Sequence, residues 1–241
     1  MSMGAAFVQP GAGHIAAFVL IALGVLAWLV RPLRIAPRAV LLLLGWQTLI
    51  ASFALVGYFA RFDQPWRALP LVALTLAAAV WLAHRPWHTA IGRWLAQTPV
   101  WAWAALQTFR LPLEVLLYSL YAHGVIGKHM TWAGYNFDVL IGVTAPVIAW
   151  LLFRYGDRRA VRRLALLWNL AGLVLLANIV LIAVLSIPFP FQWFTAEPAN
   201  RFVAQLPFVW LPTFLVPIAL LAHLCSVRLL RRAHTRLSQL V

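Results

Sequence analysis

Acid is what this sequence has least of. Only five of its 241 residues are Asp or Glu against 19 Lys or Arg, and charged residues of both signs make up 10% of the chain. A soluble domain carries about a quarter. The single cysteine, Cys225, excludes an intrachain disulfide and any CxxC or CxxCH chemistry. Lys128 is the only lysine and lies between apolar runs, so no lysine stands within a run to carry a retinal-type Schiff base. HExxH, Gly-x-Ser-x-Gly, a phosphate-cradling glycine loop and an Asp-rich DxxxD pair are all missing. Histidines stand only near the ends of the apolar runs, which leaves bis-histidine haem without support. No cofactor and no metal is indicated.

What the chain has instead is apolar length. Residues of the types AVILMFWYC make up 64% of it, and the mean hydropathy is +0.88. These values place it among all-α integral membrane proteins. The net charge of +14 sits in arginine clusters between apolar stretches, so it reads as membrane flanking and not as a nucleic-acid surface. The partner implied is the lipid bilayer.

Crossing a hydrocarbon core of ~30 Å takes about 20 apolar residues per helix. Seven such stretches, about 12–31, 38–60, 67–84, 99–122, 137–154, 163–187 and 203–226, predict a bundle of seven transmembrane helices forming one domain over 1–241. No basic residue precedes the first, and its length exceeds a signal-peptide core, so no cleaved signal is expected. Alternate connections differ sharply in basic charge. One side collects Arg31, Arg34 and Arg38, then Arg85 and Arg93, then the run from Arg154 to Arg163, then Arg228 to Arg236; the other holds Arg61, Arg67, Lys128 and Arg201. The positive-inside rule makes the first side cytoplasmic, with the N-terminus outside and the C-terminus in the cytoplasm. Trp87, Ile91, Trp94 and Leu95 recur at helical spacing and predict an interfacial helix over about 86–98. On the outer side, 187–201 is rich in proline and aromatics, including Trp193 and Phe194, and forms a long connection able to cap what lies beneath it.

Two charges fall where neither water nor headgroups reach. Arg110 lies near the midpoint of the fourth span and Glu114 one turn further out. A charge at that depth costs at least ~2.5–3.5 kcal/mol, so such residues face the bundle interior, pair, or mark a pathway. The i,i+4 spacing predicts a direct Arg110–Glu114 pair, extended into a polar stripe by Gln107 on one side and by Tyr118 and Tyr121 on the other. Pro112 between them removes the amide that would have bonded the Thr108 carbonyl. Gln47, Thr48 and Ser52 on span two, Asn178 on span six and Thr213 on span seven are candidate partners at similar depth, whereas Asn169 reads as structural. Pro207, Pro212 and Pro217 make span seven either a kinked packing helix or a broken one lining a cavity.

A second polar group gathers toward the outer end: His14, His123, His129, Asn136, Asp138, Asp63 and Glu197. Histidines and carboxylates on one side could bind a metal, but no compact ligand motif is present, and Asn136 or Asp138 serves equally as a helix cap. His84, His88, His223 and His234 read as interfacial on the inner side.

With Gln107-Thr-Phe-Arg110, Glu114, Asn136-Phe-Asp138, Thr144-Ala-Pro146 and Glu197-Pro-Ala-Asn200, the chain resembles small multi-span bacterial inner-membrane proteins. The resemblance implies a location in the inner membrane and brings no activity with it. Pro112-Leu-Glu114 also resembles the Pro-x-Glu element of small membrane lycopene cyclases, but Val115 stands where those proteins have a second acid, so no catalytic role is carried over.

Three function classes stay open. The first is a transporter or small-molecule-binding bundle, in which Arg110 engages an anionic or amphipathic molecule with Glu114, Gln107, Tyr118, Asp138, Gln47, Asn178 and Thr213 around it. The second is an intramembrane enzyme acting on a lipid or isoprenoid, with Glu114 or Asp138 as acid. The third is a structural or assembly subunit. A lateral opening between helices favours the second over transport.

Overall fold

The computed structural model describes residues 7–31, 34, 36–86, 88–195 and 198–238, with side-chain surroundings through residue 232. Trp87 and Glu197 lie outside the described residues, as does the side chain of His234. Helices and their connections account for the described residues, with no strand among them.

The helices are α1 (Ala12–Val30), α2 (Pro37–Leu55), α3 (Leu69–Ala83), α4 (Ala90–Gln97), α5 (Val100–Leu106), α6 (Arg110–Ala122), α7 (Val139–Tyr155), α8 (Arg159–Leu185) and α9 (Val216–Ser238). Five stretches, Ala12–Val30, Pro37–Leu55, Pro65–Ala83, Arg159–Leu185 and Leu211–Arg232, are long and apolar enough to cross a membrane. Large apolar side chains cover the outside: Leu42 is 77% exposed, Val174 68% and Phe153 64%. Water would penalise such a surface, whereas lipid tails accept it. The chain is a multi-pass membrane protein.

Contacts at the two ends show how the helices alternate. At one end the rings of His14 and His123 meet, and His129 bonds Ser186, which joins the start of α1 to the end of α6 and the end of α8. At the other, Arg228 of α9 donates to the Ala83 and Arg85 carbonyls past α3, and the Trp28 indole of α1 donates to the Ala102 carbonyl of α5. The stretch from Leu211 is the most buried of the five and α2 the least, so α9 is the central post. Both α3 and α8 pack on α9 but not extensively on each other.

Four boundaries differ from the sequence reading, three of them for a proline or glycine reason. The stretch expected over 99–122 is two helices, α5 and α6, joined by a 3₁₀ turn at Gln107–Phe109. Pro112 allows no amide bond back to Thr108, so a new helix starts at Arg110 and carries the proline in its first turn. Span two stops at Leu55 because Gly57 takes a left-handed φ of 68°. Span seven starts at Leu211, not 203: residues 202–209 form a 3₁₀ turn and further turns around Pro207, and a π-helical turn at Leu211–Leu215 leads into α9. The segment expected to lie at the interface holds α4, shorter than expected at Ala90–Gln97, with the Thr89 hydroxyl accepting from the Gly92 amide as its N-cap.

Candidate functional site

The starts of α6 and α7 come together because of one missing side chain. A Cβ on Gly142 would lie 2.4 Å from the Leu111 backbone nitrogen. Glycine lets α7 approach the break in the fourth segment backbone to backbone, which brings Asp138, just before α7, level with Arg110. The guanidinium Nη2 donates to Asp138 Oδ2 at 2.7 Å, and the two side chains are only 2% and 6% exposed. Nη1 lies 3.0 Å from His223 Nε2.

Hydrogen-bond logic fixes the rest of that chain. Arginine can only donate, so Nε2 of His223 accepts and Nδ1 carries the proton. Nδ1 then donates to Asn169 Oδ1 at 2.9 Å, and Asn169 Nδ2 donates to the Ala165 carbonyl at 2.8 Å. Gly172 of α8 makes room for the imidazole, since a Cβ there would lie 2.3 Å from His223 Cε1.

Glu114 stands apart from this pair. Both its oxygens, at 2.9 and 2.8 Å, accept from the Nδ2 amide of fully buried Asn136, which also donates to the Met130 carbonyl. Asn136 Oδ1 takes the Asp138 backbone amide, so one side chain holds the Glu114 carboxyl and the Asp138 main chain. The loop between α6 and α7 is folded over α6 to make this possible, turning at Gly124 with φ 72° and burying Val125, Ile126 and Met130.

Three of these groups, Arg110, Glu114 and Asp138, line a cavity of about 140 Å³. Thr213 and Pro212 line its α9 side, and the remainder is almost wholly aliphatic and aromatic, including Phe59, Phe62 and Phe189. On its α3 and α8 walls Val72, Val180 and Val184 are only half-buried, and these two helices pack on α9 but not extensively on each other. Two buried oxygens on its lining residues lack any partner: Asp138 Oδ1 and Asn200 Oδ1.

No family model, curated protein or solved structure matches this chain. The chemistry of the site therefore rests on its geometry.

The expected direct Arg110–Glu114 pair is not formed. Arg110 sits at the start of α6, beside the 3₁₀ turn, and turns toward α7 and α9, where Asp138 and His223 engage its two terminal nitrogens. The polar stripe also ends early: Tyr118 is 38% exposed and stacks on Trp132 at 4.7 Å, away from the cavity. Gln107 is buried and ties the 3₁₀ turn to α9 through the Ala219 carbonyl at 3.0 Å, leaving its Oε1 unpartnered. Gln47 is a brace: Pro217 cannot bond the Thr213 carbonyl, and Gln47 Nε2 donates to it at 3.1 Å while its Oε1 takes the Thr213 hydroxyl. Asn178 reaches the Tyr135 carbonyl at 2.8 Å and does not line the cavity. Thr48 and Ser52 are exposed and bond back to their own helix at the Leu44 and Thr48 carbonyls.

The outer polar group is dispersed. His14 bonds Ser119, His129 stacks on Phe194, Asp63 bonds its neighbour Gln64, and Asp138 belongs to Arg110. Among the described residues no three His, Cys, Asp or Glu side chains gather as metal ligands do. His223 and Asn169 are the residues the sequence reading missed. His223 was placed at the inner surface, yet it is fully buried, because a helix beginning at Leu211 puts it near mid-length.

Proposed function

We propose that this is a seven-span inner-membrane protein that takes an amphipathic molecule from the bilayer between α3 and α8 and holds its head against Arg110, Asp138 and Glu114. The seventh-span count adds two segments to the five long helices: Val139–Tyr155, and the α5–α6 pair broken at its middle. The end-to-end contacts and the alternation of basic connections support that count and an N-terminus outside the cytoplasm.

One observation supports the binding reading: an apolar cavity lined by three buried ionisable side chains, with half-buried residues on its α3 and α8 walls. An empty cavity of 140 Å³ would cost roughly 3 kcal/mol at about 24 cal/mol per Å³. Ion pairs serving only as glue require no such space. A cavity near 150 Å³ holds about one benzene-sized group, so the head and first carbons of a ligand fit inside while its tail runs out between α3 and α8.

The test is retention. Protein extracted into lipid nanodiscs and analysed by native mass spectrometry should release a non-covalently held amphiphile, and Val180→Trp, which fills the mouth, should release none while keeping its thermal stability. Equal retention by both proteins would rule out this cavity as the site.

A second reading has its own support. Asp138, with one oxygen unpartnered, and Glu114 both line the cavity, which suits an intramembrane enzyme using one of them as acid or base on a lipid or isoprenoid. Chemical change in a retained lipid, lost in Asp138→Asn but not in Tyr118→Phe, would favour it.

A further inference from the structure

We infer that the head group this site accepts is a hydrogen-bond donor, above all a protonated amine, and not an anion. The inference rests on the binding reading above and concerns which chemistry the cavity selects.

A buried arginine in a membrane cavity invites the opposite conclusion. Here, however, the guanidinium already donates to Asp138 at 2.7 Å and faces His223 at 3.0 Å, so its charge is paired inside the protein and two of its five N–H groups are engaged. The buried side-chain atoms of the lining that have no partner are both acceptors. Asp138 Oδ1 and Asn200 Oδ1 are buried acceptors without partners, on residues at most 5% exposed. Glu114 spreads two oxygens over one amide nitrogen that also serves Met130. An –NH₂ group carries two hydrogens, and three acceptors compete for them.

Charge points the same way. The lining's one guanidinium is paired with Asp138, with no other Lys or Arg on the lining. An anionic head would find no unpaired positive charge and two acceptors with nothing to offer it, while an ammonium brings three donors. A bare metal ion fits poorly, because a cation needs several oxygens around it and the rest of the wall is apolar.

The experiment compares four twelve-carbon probes that differ only in the head: dodecylamine as its ammonium ion, dodecanol, dodecanoate and dodecyl phosphate. Each is titrated into wild-type protein and Val180→Trp in neutral phosphatidylcholine nanodiscs at neutral pH, and bound copies are counted by native mass spectrometry. The difference between the two proteins isolates the cavity from the basic surface, which attracts anions unspecifically given a net charge of +14. Expected is cavity binding in the order ammonium, alcohol, then the two anions, with the ammonium ahead of dodecanoate by about tenfold or more, the size of one charge-assisted hydrogen bond. Asp138→Asn, which frees the arginine charge, should reduce or reverse that order.

Anions that bind the cavity as tightly as the ammonium would overturn the inference and leave the binding reading standing. Absence of any difference between wild type and Val180→Trp, for all four probes, would overturn the binding reading itself. The wild-type series decides the head-group question even where Asp138→Asn does not fold.

Discussion

Removing Arg110 and Asp138 one at a time should hurt far more than removing both. Their closest atoms are 2.7 Å apart in a site 2% and 6% exposed. Charge centres about 4 Å apart at an effective dielectric of about 20 attract by about 4 kcal/mol. Either Arg110→Leu or Asp138→Leu leaves a buried, uncompensated charge, and such losses run to about 3–5 kcal/mol. In the double variant two apolar side chains replace the pair, and the main remaining cost is His223 Nε2 without its donor, about 1–3 kcal/mol. The coupling energy of the cycle, the two single losses less the double one, should therefore be about 6 kcal/mol, read from reversible denaturant unfolding in mixed micelles for the four proteins. A parallel cycle of Arg110→Leu with Glu114→Leu should give clearly less, because Glu114 is held by Asn136 and not by Arg110. Additive effects for Arg110 with Asp138, or a larger coupling for Arg110 with Glu114, would refute the assignment of partners.

Other expectations use the same unfolding assay. Gly172→Ala drives a Cβ into the His223 ring and should cost about 1–3 kcal/mol as overpacking; adding His223→Ala should recover part of that loss. Gln47→Leu strips the donor from the Thr213 carbonyl that Pro217 leaves open and should cost about 1–3 kcal/mol, with faster amide exchange in Leu211–Leu215. Topology is read from single cysteines in a Cys225→Ser background: Ala133→Cys should react with an impermeant maleimide in intact spheroplasts, and Asp157→Cys only after lysis.

Much of the fold was legible because apolar length and arginine spacing depend on the sequence alone. Arg110 and Glu114 stood out for the same reason, as charges far from either end of an apolar run. Their partners did not stand out. The i,i+4 pairing considered one helix alone, whereas within α6 Arg110 is taken by Asp138 and His223 and Glu114 by Asn136, partners that tertiary packing supplies. Asp138 looked like an outer-end residue because the close approach allowed by Gly142 is a tertiary fact with no sequence period. His223 was misplaced by an error of length: the apolar run before Leu211 is long enough to read as helix, but Pro207 and Pro212 keep it irregular. The signal that could have found His223 was the proline spacing itself, taken as a helix start instead of a kink.

The central claim is that a molecule from the bilayer occupies the cavity with its head at Asp138 and Glu114. Photo-crosslinking in nanodiscs with a dodecylamine analogue bearing a diazirine near the head, followed by peptide mapping, tests it most directly. Adducts on Leu113 and Leu117 of α6 and on Leu176 and Val180 of α8, lost in Val180→Trp, are the predicted result. Adducts confined to outward residues such as Leu42 and Leu167, or unchanged by Val180→Trp, would contradict it.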